Sequence, residues 1–216
     1  MSHTLEALPL QAKSNERMKE SAPRSDWGDM SFVPELLQLA NVLIAGAKHG
    51  ASRVITILSV EPERNSSHIC FDLARILAAS STRPACLMHA GFEQKQGTSG
   101  VIEHPLLVAP NLWGAKLGTG NKGAPATPER LETSLRDLRA RYDFVVIDAT
   151  GTSSSGEGLV LGSASDGVVI VIDAGKTRRK AALRVLETLR AAGVKVLGTV
   201  LSGRRLYIPR AIYRHL

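Results

Sequence analysis

The sequence predicts an α/β protein of three layers, a mostly parallel sheet with helices on both faces. Three observations carry this. Short β-branched apolar runs recur at 53–60 (RVITILSV), 144–149 (FVVIDA), 167–173 (GVVIVID) and 195–201 (KVLGTVL), and helical stripes fall between them. The last three runs are continuously apolar rather than alternating, the mark of strands buried on both faces. With 216 residues, 44% of them hydrophobic, the chain can bury a single-domain core and is too apolar to be disordered throughout.

The elements follow in order. Residues 1–32 mix charges, Ser, Pro and Gly without periodicity and are expected to form a mobile leader. A helix is predicted over 34–49: Pro34 suits a first turn, Leu36, Leu37, Ala40, Leu43, Ile44 and Ala47 share one broad face, and Gly50 ends it. The strand 53–60 leads through a polar turn, 61–66, into a helix over 67–80. A second short apolar run covers 84–88, and a Gly/Gln/Ser loop covers 91–100. Strands are expected at 106–109 and 112–117, with a loop at 118–125. Thr127 and Pro128 have the residue types of a helix cap and first helical position, and Leu131, Leu135 and Leu138 form the stripe that follows. The clearest remaining helix is 177–192. The expected division is a leader at 1–32, a body at 33–202 and a basic amphipathic tail at 203–216.

The 27 Lys+Arg outnumber the 20 Asp+Glu for a net charge of +7, but the excess is local. Residues 176–216 hold 11 bases against one acid, Glu187, whereas 1–175 hold 16 bases against 19 acids. No run approaches the ~18 apolar residues of a membrane span, and the first residues lack the apolar stretch of a signal peptide, so the cytoplasm is the expected address. Cys70 and Cys86 have no metal-ligand spacing and read as reduced core residues; a disulfide scaffold and a zinc module are excluded.

Ligands of such sheets sit at the carboxyl ends of the strands, which directs attention to the turn after 53–60. A phosphate-binding loop there would read G-x-x-x-x-G-K-[ST], glycines letting backbone N–H groups curl around phosphate and Lys neutralising it. The chain reads Glu61-Pro62-Glu63-Arg64-Asn65-Ser66-Ser67.

Over 34–201 the chain resembles the bacterial tyrosine kinases of capsule and exopolysaccharide synthesis (BY-kinases), relatives of the ParA/MinD deviant P-loop ATPases. Their block T-S-x-x-P-G-E-G-K-S-T corresponds to Leu58-Ser59-Val60-Glu61-Pro62-Glu63-Arg64-Asn65-Ser66-Ser67-His68. R-P-V-L-L-I-D-A-D corresponds to Arg83-Pro84-Ala85-Cys86-Leu87-Met88-His89-Ala90-Gly91, and Y-D-x-V-I-I-D-T-P-P to Tyr142-Asp143-Phe144-Val145-Val146-Ile147-Asp148-Ala149-Thr150-Gly151. The D-G block is close to Asp166-Gly167 through Arg178-Arg179, and the final L-x-x-a-G-v block matches 189–202.

The resemblance implies ATP, Mg²⁺ and tyrosine phosphorylation, but the departures all strike chemistry. Glu63 and Asn65 replace both loop glycines and Ser66 replaces the Lys. A carboxylate ~4 Å from a phosphate charge opposes binding by ~4 kcal/mol at an effective dielectric near ~20. His89 and Gly91 replace the two aspartates that the family uses for Mg²⁺ and for activating the attacking hydroxyl. Of the nucleotide machinery Asp148, the metal-side aspartate, and Ser67, the loop hydroxyl, remain as vestigial metal ligands, with Glu63, Arg64, Asn65, Ser66, Ser67 and His68 as the degenerate nucleotide loop. Phosphoryl transfer rests on positioning and charge stabilisation, so loss of the Lys and both acids is expected to abolish it. Asp148 is the one catalytic candidate if activity survives; otherwise it is a leftover of the fold held by backbone donors. His89 is expected to be satisfied by local hydrogen bonds. Arg64 offers phosphate a guanidinium, but flanking Glu61 and Glu63 pair with it more naturally. The stretch 176–180 faces phosphate or solvent equally well.

Two further family features fail. The E-x-x-R-x-x-R of the subunit ring is here Glu35, Gln38 and Asn41, and the Tyr-rich tail is reduced to Tyr207 and Tyr213. The tail instead offers Arg204, Arg205, Tyr207, Arg210, Tyr213 and Arg214 as docking residues for a partner or a lipid surface. The resulting expectation is a catalytically degenerate scaffold or regulatory subunit of exopolysaccharide (capsule or holdfast-type) assembly and export. It would need no cofactor, work peripherally at the inner membrane beside a chain-length-determining co-polymerase, form homo-oligomers if the ring persists, and bind no nucleic acid. The alternatives are an active tyrosine kinase or ATPase using ATP and Mg²⁺, and a ParA/MinD-type positioning protein.

Overall fold

A computed structural model describes residues 33–46, 52–61, 67–90, 105–117, 128–151 and 156–203. The expected leader and the tail docking residues Arg204, Arg205, Tyr207, Arg210, Tyr213 and Arg214 lie outside the described residues, as do Glu63, Arg64, Asn65 and Ser66. The elements are α1 (Val33–Ala45), β1 (Arg53–Ser59), α2 (Ser67–Ala79), β2 (Ala85–His89), β3 (Leu106–Ala109), β4 (Leu112–Lys116), α3 (Pro128–Arg141), β5 (Phe144–Asp148), α4 (Glu157–Ala164), β6 (Gly167–Asp173), α5 (Arg179–Ala191) and β7 (Val196–Ser202).

The seven strands form one sheet in the order β3-β4-β2-β5-β1-β6-β7. All neighbours are parallel except β3 and β4. That pair closes through Pro110 and Asn111, and Asn111 takes φ 57°, a left-handed conformation that Asn tolerates better than most residues. Its amide also donates to the Ala78 carbonyl at 2.9 Å, holding the hairpin against the end of α2.

Alternation along each strand sends side chains to two cores. Val54 and Leu58 of β1, Cys86 and Met88 of β2 and Val145 and Ile147 of β5 meet Leu131, Leu135, Leu161 and Leu189 of α3, α4 and α5. Ile55, Ile57, Ala85, Phe144 and Val146 meet Leu36, Ala40, Leu43, Ile69, Leu73 and Leu77 of α1 and α2 on the other face. The three-layer architecture is therefore as expected, and both cysteines are buried, neither in a disulfide. The central strands β5 and β6 are continuously apolar because both layers cover them. β7 has an equally apolar sequence, yet it is an edge strand whose residues are half-buried or exposed, Leu201 among them. The expectation of burial on both faces fails there.

Motif residues hold the amino ends of the strands. Asp143, just before β5, accepts from the Arg83 Nε at 2.6 Å and from the Arg83 backbone N–H at 2.8 Å. Arg83 also donates to the carbonyls of Ala140 and Tyr142, fixing the approach to β2 against that to β5. These bonds outweigh partial burial and keep the Asp143 carboxyl below its usual range. Asp166, just before β6, is clamped by Arg139 at 2.7 and 2.9 Å and accepts from the Val54 N–H at 2.7 Å. Gly167 follows because any Cβ there would lie 2.5 Å from Leu197. The R-P, Y-D and D-G dipeptides thus act on the fold at the edge of the sheet opposite the candidate site.

Candidate functional site

At the carboxyl edge, β2, β5 and β1 end side by side. Parallel pairing sets His89, the last residue of β2, directly beside Asp148, the last residue of β5. Both occupy alternation positions on the α1/α2 face. A further rung, from the Ala90 N–H to the Asp148 carbonyl at 2.9 Å, carries the pairing past the end of β2.

Asp148 is buried, its side chain only 3% exposed, and both carboxylate oxygens are engaged. His89 Nδ1 donates to Oδ2 at 3.0 Å, and Thr150 donates to Oδ1 twice, from its hydroxyl at 2.7 Å and its backbone N–H at 3.1 Å. The Ser67 hydroxyl, in the first turn of α2, stands 3.5 Å from the Thr150 hydroxyl. One helical turn on, the buried Cys70 thiol also hydrogen-bonds the carboxylate. Burial pushes the Asp148 carboxyl upward, but the bonds from His89 and Thr150, attraction to the His89 imidazole and the Ser67 hydroxyl together prevail and hold it at about 2. Burial likewise raises the Cys70 thiol, and the neighbouring Asp148 charge raises it further.

Asp148 is the single carboxylate on β1, β2 and β5. A hard cation needs several oxygen ligands and keeps its carboxylates ionised. Here protein donors surround and hydrogen-bond the carboxylate, with an imidazole standing where the resemblance would put a second acid. The arrangement orients and stabilises a buried anion, and among the described residues no group of three or more His, Cys, Asp or Glu side chains could hold a metal ion.

Of the predicted site residues, the fold brings together Asp148 and Ser67, while His68 is exposed on α2. His89 is hydrogen-bonded, but not locally as expected: its partner is Asp148, 59 residues along the chain and beside it only through the pairing of β2 with β5. The idea that backbone donors hold Asp148 is corrected: one backbone N–H contributes, alongside the side chains of Thr150 and His89. Thr150 and Cys70 were not foreseen as site residues. A Thr two residues beyond a strand-terminal Asp is a legible signal, because its N–H and hydroxyl can both reach back to the carboxylate. In the 176–180 stretch, Lys176 turns to Asp173 at 3.2 Å.

The order of strands, the helices on both faces and the site at the carboxyl edge between the start of α2 and β5 define the class: a P-loop NTPase-type α/β fold. No protein-family model matches the chain. In sequence it is similar to the tyrosine-protein kinase YwqD of Bacillus subtilis, 34% identical over 67 residues. That match covers 31% of this chain and 28% of the relative. It is also similar to the succinoglycan biosynthesis transport protein ExoP of Rhizobium meliloti, 24% identical over an alignment covering 91% of this chain and 27% of ExoP. The chain thus matches little more than a quarter of each relative's length. Among solved structures it superposes on the kinase domain of the Escherichia coli tyrosine kinase ETK with a TM-score of 0.60 at 16% identity, over 80% of this chain and 77% of that one. MinD of Aquifex aeolicus follows the same fold, TM-score 0.55 at 14% identity, over 76% and 73% of the two chains. The resemblance is therefore to bacterial tyrosine kinases, with ParA- and MinD-like proteins as neighbours in fold.

Proposed function

We propose that this chain is a catalytically degenerate BY-kinase-like protein, a scaffold or regulatory subunit of exopolysaccharide biosynthesis and export. The observation that carries the reading is the carboxylate cage: Asp148 is held by His89 and Thr150, and a basic imidazole occupies the place of an acid needed for metal. The sequence of the 61–67 turn supports it, with Glu63 and Asn65 for glycines and Ser66 for the Lys. Similarity to ExoP, a succinoglycan transport protein, supports the polysaccharide pathway. The partner in this reading is the membrane co-polymerase of that system, reached from the cytoplasmic side; among the described residues no helix is long and apolar enough to cross a membrane.

Calorimetric titration with Mg-ATP and Mg-ADP tests the proposal. The expected result is no heat of binding at protein concentrations where micromolar affinity would be evident. Micromolar binding, or phosphate incorporated on Tyr207 or Tyr213, would overturn it in favour of a surviving kinase or ATPase.

A further inference from the structure

The first half of α5 breaks the electrostatic rules for a helix start. The peptide dipoles place partial positive charge at a helix N-terminus, where acids stabilise and bases do not. Here Arg178 stands at the N-cap without a capping hydrogen bond, Arg179 and Lys180 follow, and the first turn holds no acid. Arg184 joins them one turn on. Among the described residues, none of Arg178, Arg179, Lys180 and Arg184 has an ion-pair partner, and all four are exposed. A local rule broken without compensation among the described residues marks a surface kept for something outside the chain.

Two apolar side chains are exposed at the same end of the sheet, Leu183 at 43% and Leu201 at 52%. Leu183 lies between the basic residues on the helix, one turn after Arg179 and Lys180. Leu201 pairs in register with Ile172, the next-to-last residue of β6, the strand that leads into α5. The face is also fixed in place. The Asp173 carbonyl accepts from the Thr177 N–H at 3.0 Å, the Asp173 N–H donates to the Thr177 hydroxyl at 3.0 Å, and Gly175 turns the chain at φ +79°. The inner side of α5, Ala182, Val185, Leu186 and Leu189, packs in the core.

We propose that this exposed face of α5, Arg178, Arg179, Lys180, Leu183 and Arg184 with Leu201 beside it, docks on the headgroups of an anionic lipid surface. A nucleic-acid footprint would need the cations alone; apolar side chains set among them suit the headgroup–acyl boundary, where bases meet phosphate and Leu enters the layer. The inference supplies a surface and ligand for the membrane-side placement proposed above and rests on that reading. Vesicle binding and nucleotide titration report on the two separately.

The test is co-sedimentation of the full chain with phosphatidylglycerol–phosphatidylcholine vesicles and with pure phosphatidylcholine vesicles. Binding to the anionic vesicles alone is expected. Each cation near such a surface contributes about five-fold in affinity, so Arg179→Gln/Lys180→Gln/Arg184→Gln should weaken binding by roughly a hundred-fold. Leu183→Ser should weaken it independently of salt, and circular dichroism checks that both variants remain folded. Undiminished binding by the triple variant would assign lipid contact to the basic tail and overturn the proposal. So would the absence of vesicle binding, or salt-dependent binding to short duplex DNA that ignores Leu183→Ser.

Discussion

Replacing Asp148 by Asn should erase a defined part of this protein's acid sensitivity. The folded carboxyl titrates at about 2 and an ordinary Asp near 3.8, because its donors outweigh burial. Between those values the unfolded chain binds more protons, so stability falls as pH falls through that window and is complete above it. The gap corresponds to about 2 kcal/mol. Urea unfolding of wild type and Asp148→Asn, measured from about pH 6 down to about pH 2, checks this: the wild-type curve should drop by about 2 kcal/mol more than that of the variant. Taking the difference isolates Asp148 from Asp143, whose carboxyl is also held low and titrates in both proteins. His89→Ala removes one main donor while leaving the burial, so the acid midpoint of Asp148 should move upward. The His89 side chain is 53% exposed, which limits the cost of that change at neutral pH to about 1 kcal/mol. Parallel curves for wild type and Asp148→Asn would refute the cage as the source of the depressed carboxyl.

The remaining structural predictions concern packing. Gly167→Ala puts a methyl 2.5–2.8 Å from three carbons of Leu197 and should cost ~1–3 kcal/mol by overpacking, seen as a lowered melting temperature. Gly151→Ala, with nothing within 4 Å of the new methyl, serves as the neutral control. Cys70 and Cys86 should resist an aromatic disulfide reagent at neutral pH until the chain is unfolded. Burial pushes both thiols up, Cys86 to about 12, and rapid labelling of the native protein would contradict that.

The parallel sheet, the helix positions and the resemblance were legible because they rest on local patterns: β-branched runs, helical stripes and short motifs repeat along the chain. The same patterns explain why the cysteines were placed correctly, since an apolar helix face and an apolar strand are buried whatever their neighbours. Lateral order was not legible. β7 reads like β5, and only its place at the end of the sheet, with no strand beyond it among the described residues, leaves Leu201 half exposed. The partners of the motif acids were equally hidden. Asp143 meets Arg83 across 60 residues, Asp166 meets Arg139 across 27, and His89 meets Asp148 across 59.

By itself the sequence determined which residues stand at the blocks it resembles: Glu63, Asn65 and Ser66 in the loop and His89 at the end of the second apolar run. Tertiary structure alone decided what surrounds Asp148. Strand register, a property of two chains of peptide groups hydrogen-bonding in parallel, sets an imidazole beside Asp148, and a buried carboxylate keeps its charge only where such donors surround it.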